Sequence, residues 1–372
     1  MHHVDYESSY IALLKEEEIL NPYIVLKETF KEFSSPIHLQ DELFEIFTLA
    51  IRRNYWITYE SPLILYNKYR QLIRLFEAGW LIQKIRPDLD LSEKFIIPYN
   101  KIQFNKSKRE GINKNYDSIS IAYQSLVSIY SSETLSSLII DLYNILFEGL
   151  TPTCVNHSFE VYMVDVIEHM NALISTLYII GHNERGNLLS PQDIHILNKE
   201  LDKFKSRDTL FDYDGDIYYV FRDSKKEDLL NAIEISKGIL NTSNFWKLNG
   251  NPANILYYYH DFLFILDSYW LHYKFLMNEK VDVNIKWKYP KDKKEELLGV
   301  KYKWIKKPWK YLHEKFEMKS IHEWRNMLEV CLEDVLSNVK VGYKSHQNDS
   351  EILDFIEGLI FLQELSNYEP EI

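Results

Sequence analysis

The feature that most constrains this chain is a shortage: it has eleven glycines in 372 residues. Dinucleotide-binding sheets and large β-sandwiches need residues without Cβ at many tight turns and close backbone approaches. Helices joined by ordinary loops do not. The length suits two closely packed domains or one large helical body. With 46% apolar and 15% aromatic residues there is ample material for a core, so disorder does not describe the whole chain.

Helix starts are written in a recurring form, a Ser followed by Pro, at Ser35-Pro36, Ser61-Pro62 and Ser190-Pro191. Serine caps a helix, and proline at the first helical position loses nothing, because its missing N–H would have had no partner. Asp193, three residues after Ser190, adds an acid to the positive helix end. After Pro62, residues Leu65, Tyr69, Leu72, Phe76 and Trp80 recur at helical spacing and predict one buried stripe. Further helices are expected near 21–33, 36–56, 118–130, 133–149, 157–179 and 190–205. A capping box at Ser320 and Glu323 opens another, and a last one is expected to begin near Ser350.

Two places break the helical period. The run "TLFDYDGDIYYVF" at 209–221 flanks Asp214-Gly215, a dipeptide suited to a tight hairpin turn. From 281 on, Val281, Val283, Ile285, Trp287 and Tyr289 alternate with polar residues, and Val300, Tyr302 and Trp304 repeat the pattern, which is the period of a strand. The fold class expected is therefore mainly α, a multi-helical, bundle-like body with a small antiparallel β element: a hairpin near 209–222 and strands near 281–305. Residues 1–85 form an N-terminal helical unit, 86–117 an irregular connection without sustained period, and 118–372 a helical domain with the β element inserted over 206–311.

Composition narrows the setting. Cys154 and Cys331 stand far apart and belong to no clustered pattern, which argues against a disulfide framework or a zinc site and fits a reducing compartment. The first twenty residues lack a basic start followed by an apolar run and a cleavage site, so a cytoplasmic location is expected. The most membrane-like stretch, 255–277, holds Asp261, Asp267 and Lys274, each of which costs about 2.5–3.5 kcal/mol near a bilayer centre. It reads as a core helix, and no membrane is expected as a partner.

Chemical motifs are sparse. Gly181 and Gly186 have the gap of a phosphate-binding loop, but Asn187 and Leu188 stand where Lys and Ser or Thr are needed. A calcium loop centred on Gly215 would put Leu210 and Phe221 at its ligating ends. Helix 157–179 gathers His157, Asp165, Glu168 and His169 on one half of its wheel, with Asn171 and Ser175, while apolar residues fill the other half. Bundle metal sites project into the core and use Glu-x-x-His pairs, and this chain has none, so the stripe reads first as a solvated face. Its alternative is the catalytic set of a hydrolytic enzyme. Cys154, just ahead of that helix, is a weaker nucleophile candidate. No metal and no cofactor are expected.

One surface survives. Residues 281–311 hold ten lysines against four acids, a net of +6, in a chain whose total is −12, so charge is segregated. Lys301, Lys303, Lys306, Lys307 and Lys310, interleaved with rings that include Trp309 and Tyr311, suit an anionic macromolecule: lysines track phosphates or carboxylates, and exposed rings stack. Pro308 interrupts the strand pattern and is expected to leave Trp309 and Tyr311 exposed. The bland reading of the same lysines is a strand edge kept soluble. The function expected is a soluble, non-catalytic interaction protein for an anionic partner, protein or nucleic acid.

Overall fold

The computed structural model describes residues 13–32, 35–51, 61–85, 119–151, 157–183, 189–205, 225–248, 251–280, 307–337 and 343–365, with Asp282 and Asn284. At 32, 51, 120, 157–165, 203–205, 247–248, 343–346 and 363–365 it describes the backbone alone. Helix is the only regular secondary structure among the described residues. The hairpin expected at 209–222 and, apart from Asp282 and Asn284, the strands expected near 281–305 lie outside them. The chain divides into two compact units, one of residues 1–59 and 64–206, the other of 60–63 and 207–372.

The first unit contains α1 (Glu16–Leu20), α2 (Tyr23–Glu32), α3 (Pro36–Ile51), α4 (Leu63–Lys84, from Ile64 on), α5 (Ile119–Ser132), α6 (Leu135–Leu150), α7 (His157–Asn183) and α8 (Pro191–Lys205). Helix α3 packs on α6 and α7, and α7 also takes α2 and α5. The helices on both sides of 86–117 thus belong to one unit. Leu39, Leu43, Ile46 and Phe47 of α3, and Leu173, Ile174 and Leu177 of α7, are buried at the three- and four-residue spacing that defines a helix's inner face.

The scarce glycines serve helix crossings. A Cβ on Gly79 of α4 would lie 2.9 Å from both Leu177 Cδ2 and Tyr130 Oη, closer than real side chains approach, so its absence lets α4 reach α7 and α5. Tyr130 donates its hydroxyl to the Phe76 carbonyl at 2.6 Å in the same place. Next to it, Glu77 is fully buried, and its carboxylate accepts the Leu13 and Leu14 N–H groups at 3.0 and 3.1 Å. A buried carboxylate needs such donors, because losing its water without replacement costs several kcal/mol.

The second unit contains α9 (Lys226–Leu240), the short α10 (Phe245–Leu248), α11 (Pro252–Asn278), α12 (Pro308–Met318), α13 (Ile321–Leu336) and α14 (Tyr343–Leu365). Helix α14 contacts α9, α11 and α13, and α12 packs on α11. Trp324 and Phe355 meet with ring centroids 4.4 Å apart at the centre, and Phe316 stands 5.5 Å from Phe355. Each such ring contributes on the order of 1.5–3 kcal/mol by leaving water.

The membrane-like stretch is a helix of this core, as expected. Phe262 is fully buried, and Asp267, 6% exposed, accepts from Arg325 Nε of α13 at 2.7 Å. Its charge is matched inside the protein. No helix among the described residues is long and apolar enough to cross a membrane.

Two expectations change here. The chain from 308 on is helical, not an interrupted strand: Pro308 occupies the first turn of α12, where fixed φ and a missing N–H are favourable, and Tyr311, Leu312 and Phe316 then form a helical inner face. The last helix begins at Tyr343 and not near Ser350. A helix that the sequence reading passed over, α9, buries Leu229, Ala232, Ile233, Ser236, Ile239 and Leu240 at helical spacing.

Candidate functional site

Three groups of residues have a claim to function, and the structure places each differently. Of the anionic-partner set, Lys301, Lys303 and Lys306 lie outside the described residues. Lys307 caps α12, and Lys310 stands one turn on, half-exposed, 3.7 Å from Glu314. Positions 307, 310 and 314 fall on one outer face by helical geometry. Trp309 is half-buried, its ring centroid 4.6 Å from that of His272 on α11. Burial pushes His272 down to about 4, so the indole rests on a neutral imidazole. Tyr311 departs from the exposed ring expected: it is 5% exposed and sits over Gly358 of α14, where a Cβ would collide with its hydroxyl. The start of α12 therefore offers Lys307, Lys310 and the half-buried indole of Trp309.

The second group is on α7. Its backbone carries Asp165, Glu168 and His169 within little more than one turn, with His157 about two turns earlier. The side chains of His157 and Asp165 lie outside the described residues, whereas Glu168 and His169 are half-buried. Further along the same line, Gln40 Nε2 of α3 donates to the Asn171 carbonyl at 3.1 Å and to Ser175 Oγ at 2.8 Å. Gln40 is itself buried. The C-terminal part of the polar half of α7 thus faces a neighbouring helix and is not simply solvated.

Cysteine chemistry is closed at Cys331. Its Sγ lies 3.1 Å from Tyr259 Oη in the interior of the second unit, and burial pushes the thiol far above its ordinary value. A nucleophile needs the thiolate, which this setting opposes. Cys154 lies outside the described residues. Among the described residues, no group of three or more His, Cys, Asp or Glu could hold a metal ion.

The third group was not picked out from the sequence. Asp349 of α14 is 1% exposed, and neither carboxyl oxygen has a hydrogen-bond donor. The charge of a second carboxyl, Asp334 of α13, acts on it. Burial first, then the Asp334 charge, push Asp349 up to about 7. Tyr259 and Cys331 feel the same carboxyl, and Tyr259 also approaches the buried Ser236 of α9. Four helices thus bring one hydroxyl, one phenol, one thiol and two carboxyls, of which Asp334 is half-buried, near one another. One signal was available in the sequence. Asp349 precedes Ile352, Leu353 and Ile356 at helical spacing, so once α14 starts at Tyr343 the acid falls on the apolar stripe.

The first unit also has an open cleft of about 520 Å³ beside Lys31, Arg70 and Arg74. Arg74 is already held there by Glu18, and by Glu28 at 2.6 Å, which raises its pKa further. No family model, no curated protein and no solved structure matches this chain.

Proposed function

We propose that this protein is an interaction protein that meets an anionic macromolecule, protein or nucleic acid, through the lysine-rich run that ends at α12. The observation that carries the reading is the segregation of charge: ten lysines against four acids in residues 281–311 of a chain with net charge −12. Lys307 and Lys310 on the outer face of α12 support it, because they extend the basic run onto a helix anchored by Pro308, Tyr311 and Leu312. An anchored helix holds its charges in fixed relation, which lowers the ordering cost of binding. Tyr311 belongs to the anchor, so recognition falls to the lysines and to Trp309.

Retention of the intact protein on immobilised heparin and on single-stranded DNA, measured against salt, tests the reading. Binding that weakens steeply with salt supports it. Passage through both columns at low salt overturns it.

A hydrolytic enzyme built on α7 is the second reading. It draws support from Gln40, which turns the line continuing from Glu168 through Asn171 and Ser175 toward a helix-lined interior. Loss of hydrolysis of a generic ester or phosphoester on substituting His169 by Ala, with the fold retained, is its test.

A further inference from the structure

We infer that the open cleft of the first unit is a binding site for a small molecule carrying a carboxylate or phosphate group, with Lys31 and Arg74 as its principal partners. Two helices supply the wall: Glu28 and Lys31 come from α2, and Arg70, Gln71 and Arg74 from α4. Arg70 and Arg74 are one helical turn apart, so they share a side of α4. Among the described residues of the wall, three cations stand against one acid, in a chain of net charge −12. A wall of guanidinium, ammonium and amide groups suits the oxygens of an anion and not an apolar ligand. Its volume of about 520 Å³ is that of a metabolite-sized site.

Arg74 is prepared for such a ligand. Glu18, 2% exposed, holds its Nη2 from inside the unit, and Glu28, whose side chain is 56% exposed, binds the same nitrogen at 2.6 Å. Neither bond uses Nη1 or Nε. The two acids differ in how easily they yield. An ion pair as open to water as that of Arg74 with Glu28 contributes little, so an incoming oxyanion displaces Glu28 at small cost. Taking Arg74 from Glu18 would instead strand a buried carboxylate. Glu18 is therefore a positioning residue that fixes the guanidinium, and Glu28 keeps the place of the ligand's oxygens.

Arg70 is steadied by an aromatic ring, its guanidinium carbon 5.9 Å from the centroid of the buried Tyr66. Two guanidinium groups oriented before the ligand arrives lower the ordering cost of binding. Lys31, exposed in the last turn of α2, brings the third charge from the other helix. All of these residues belong to the first unit, so the site does not depend on the lysine run that ends at α12 in the second.

The test titrates the full chain by calorimetry with inorganic phosphate and, separately, with succinate, at an ionic strength held constant by chloride. Saturable binding of at least one probe is expected. Phosphate alone would assign the site to phosphate compounds, succinate alone to carboxylates, and both to either class. Lys31→Gln, an exposed change that spares the fold, should weaken binding by roughly tenfold through loss of one charge-assisted hydrogen bond. Glu28→Gln should tighten it several-fold, because the competing charge on Arg74 is gone; a merely structural Glu28 would leave affinity unchanged or lower it. Arg74→Lys keeps a charge beside Glu18 but loses the planar fork, so it should weaken binding as well. Should Arg74→Lys not fold, the two α2 variants decide. A parent protein that binds neither probe saturably overturns the proposal, and so does saturable binding that Lys31→Gln and Glu28→Gln both leave unchanged.

Discussion

A single hydrogen for a side chain decides how α12 and α14 approach. The Cβ that Gly358 lacks would run into the Tyr311 hydroxyl, and Tyr311 cannot swing away because it is enclosed by the second unit's core. Gly358→Ala gains about 1 kcal/mol of helix propensity but forces the ring outward, an overpacking that costs about 1–3 kcal/mol. The net expected in a denaturant titration is a loss of up to about 2 kcal/mol. Tyr311→Phe removes the nearest clashing atom, so Gly358→Ala made on that background should lose clearly less, and the double-mutant cycle should report coupling of about 0.5–1.5 kcal/mol. Additive effects would mean that the crossing is looser than the structure shows. The same economy of glycine appears at Lys280, which takes φ of 54° just after α11, a left-handed position that glycine usually fills.

At the scale of elements, the caps were legible because their chemistry is local. Ser190 and Asp193 exchange bonds of 3.1 and 2.9 Å with each other's backbone N–H, and Ser320 and Glu323 do the same at 3.2 and 2.7 Å. The Ser320 N–H bond also depresses the Glu323 pKa. Ser320→Ala should therefore cost about 1 kcal/mol, read as a shifted urea midpoint with unchanged slope. What was not legible depended on long-range packing. Tyr311 alternates with lysines in the sequence and so looks like a strand residue, yet Pro308 starts a helix that turns it inward. Asp349 looked like a residue ahead of a helix until α14 gained two turns at its start. The polar half of α7 looked solvated because the wheel cannot show that Gln40 of α3 lies opposite. For that helix the expectation of a merely polar face is concrete: a chelator should leave the melting temperature unchanged, since only removal of a bound metal would take away binding free energy. A drop of several degrees on chelation, restored by zinc or manganese, would reinstate a metal site on α7.

For the molecule as a whole, the decisive quantity is where its charge lies. A chain of net −12 is repelled by polyanions at long range, and only a concentrated basic run can reverse that locally within a Debye length of about 10 Å at 0.1 M salt. Each lysine that replaces a counterion on a single strand adds about 0.7 to the salt slope of binding. Replacing Lys306, Lys307 and Lys310 by Gln should accordingly weaken binding at low salt and reduce the slope by about two. Stability should scarcely change, because surface substitutions usually move it by less than about 0.5 kcal/mol and, among the described residues, the ion pair of Lys310 with Glu314 is half-exposed. Trp309→Ala is a different case, since its ring packs on His272. It should lose about 1–3 kcal/mol of binding if bases stack on the indole, with the salt slope kept, and it should also lose some stability. The pair of variants separates the two halves of the proposal. A changed slope without a Trp309 effect describes an electrostatic surface for any polyanion, whereas both together describe a surface that also reads rings. An unchanged slope in the triple-lysine variant would place whatever binding exists elsewhere on the molecule.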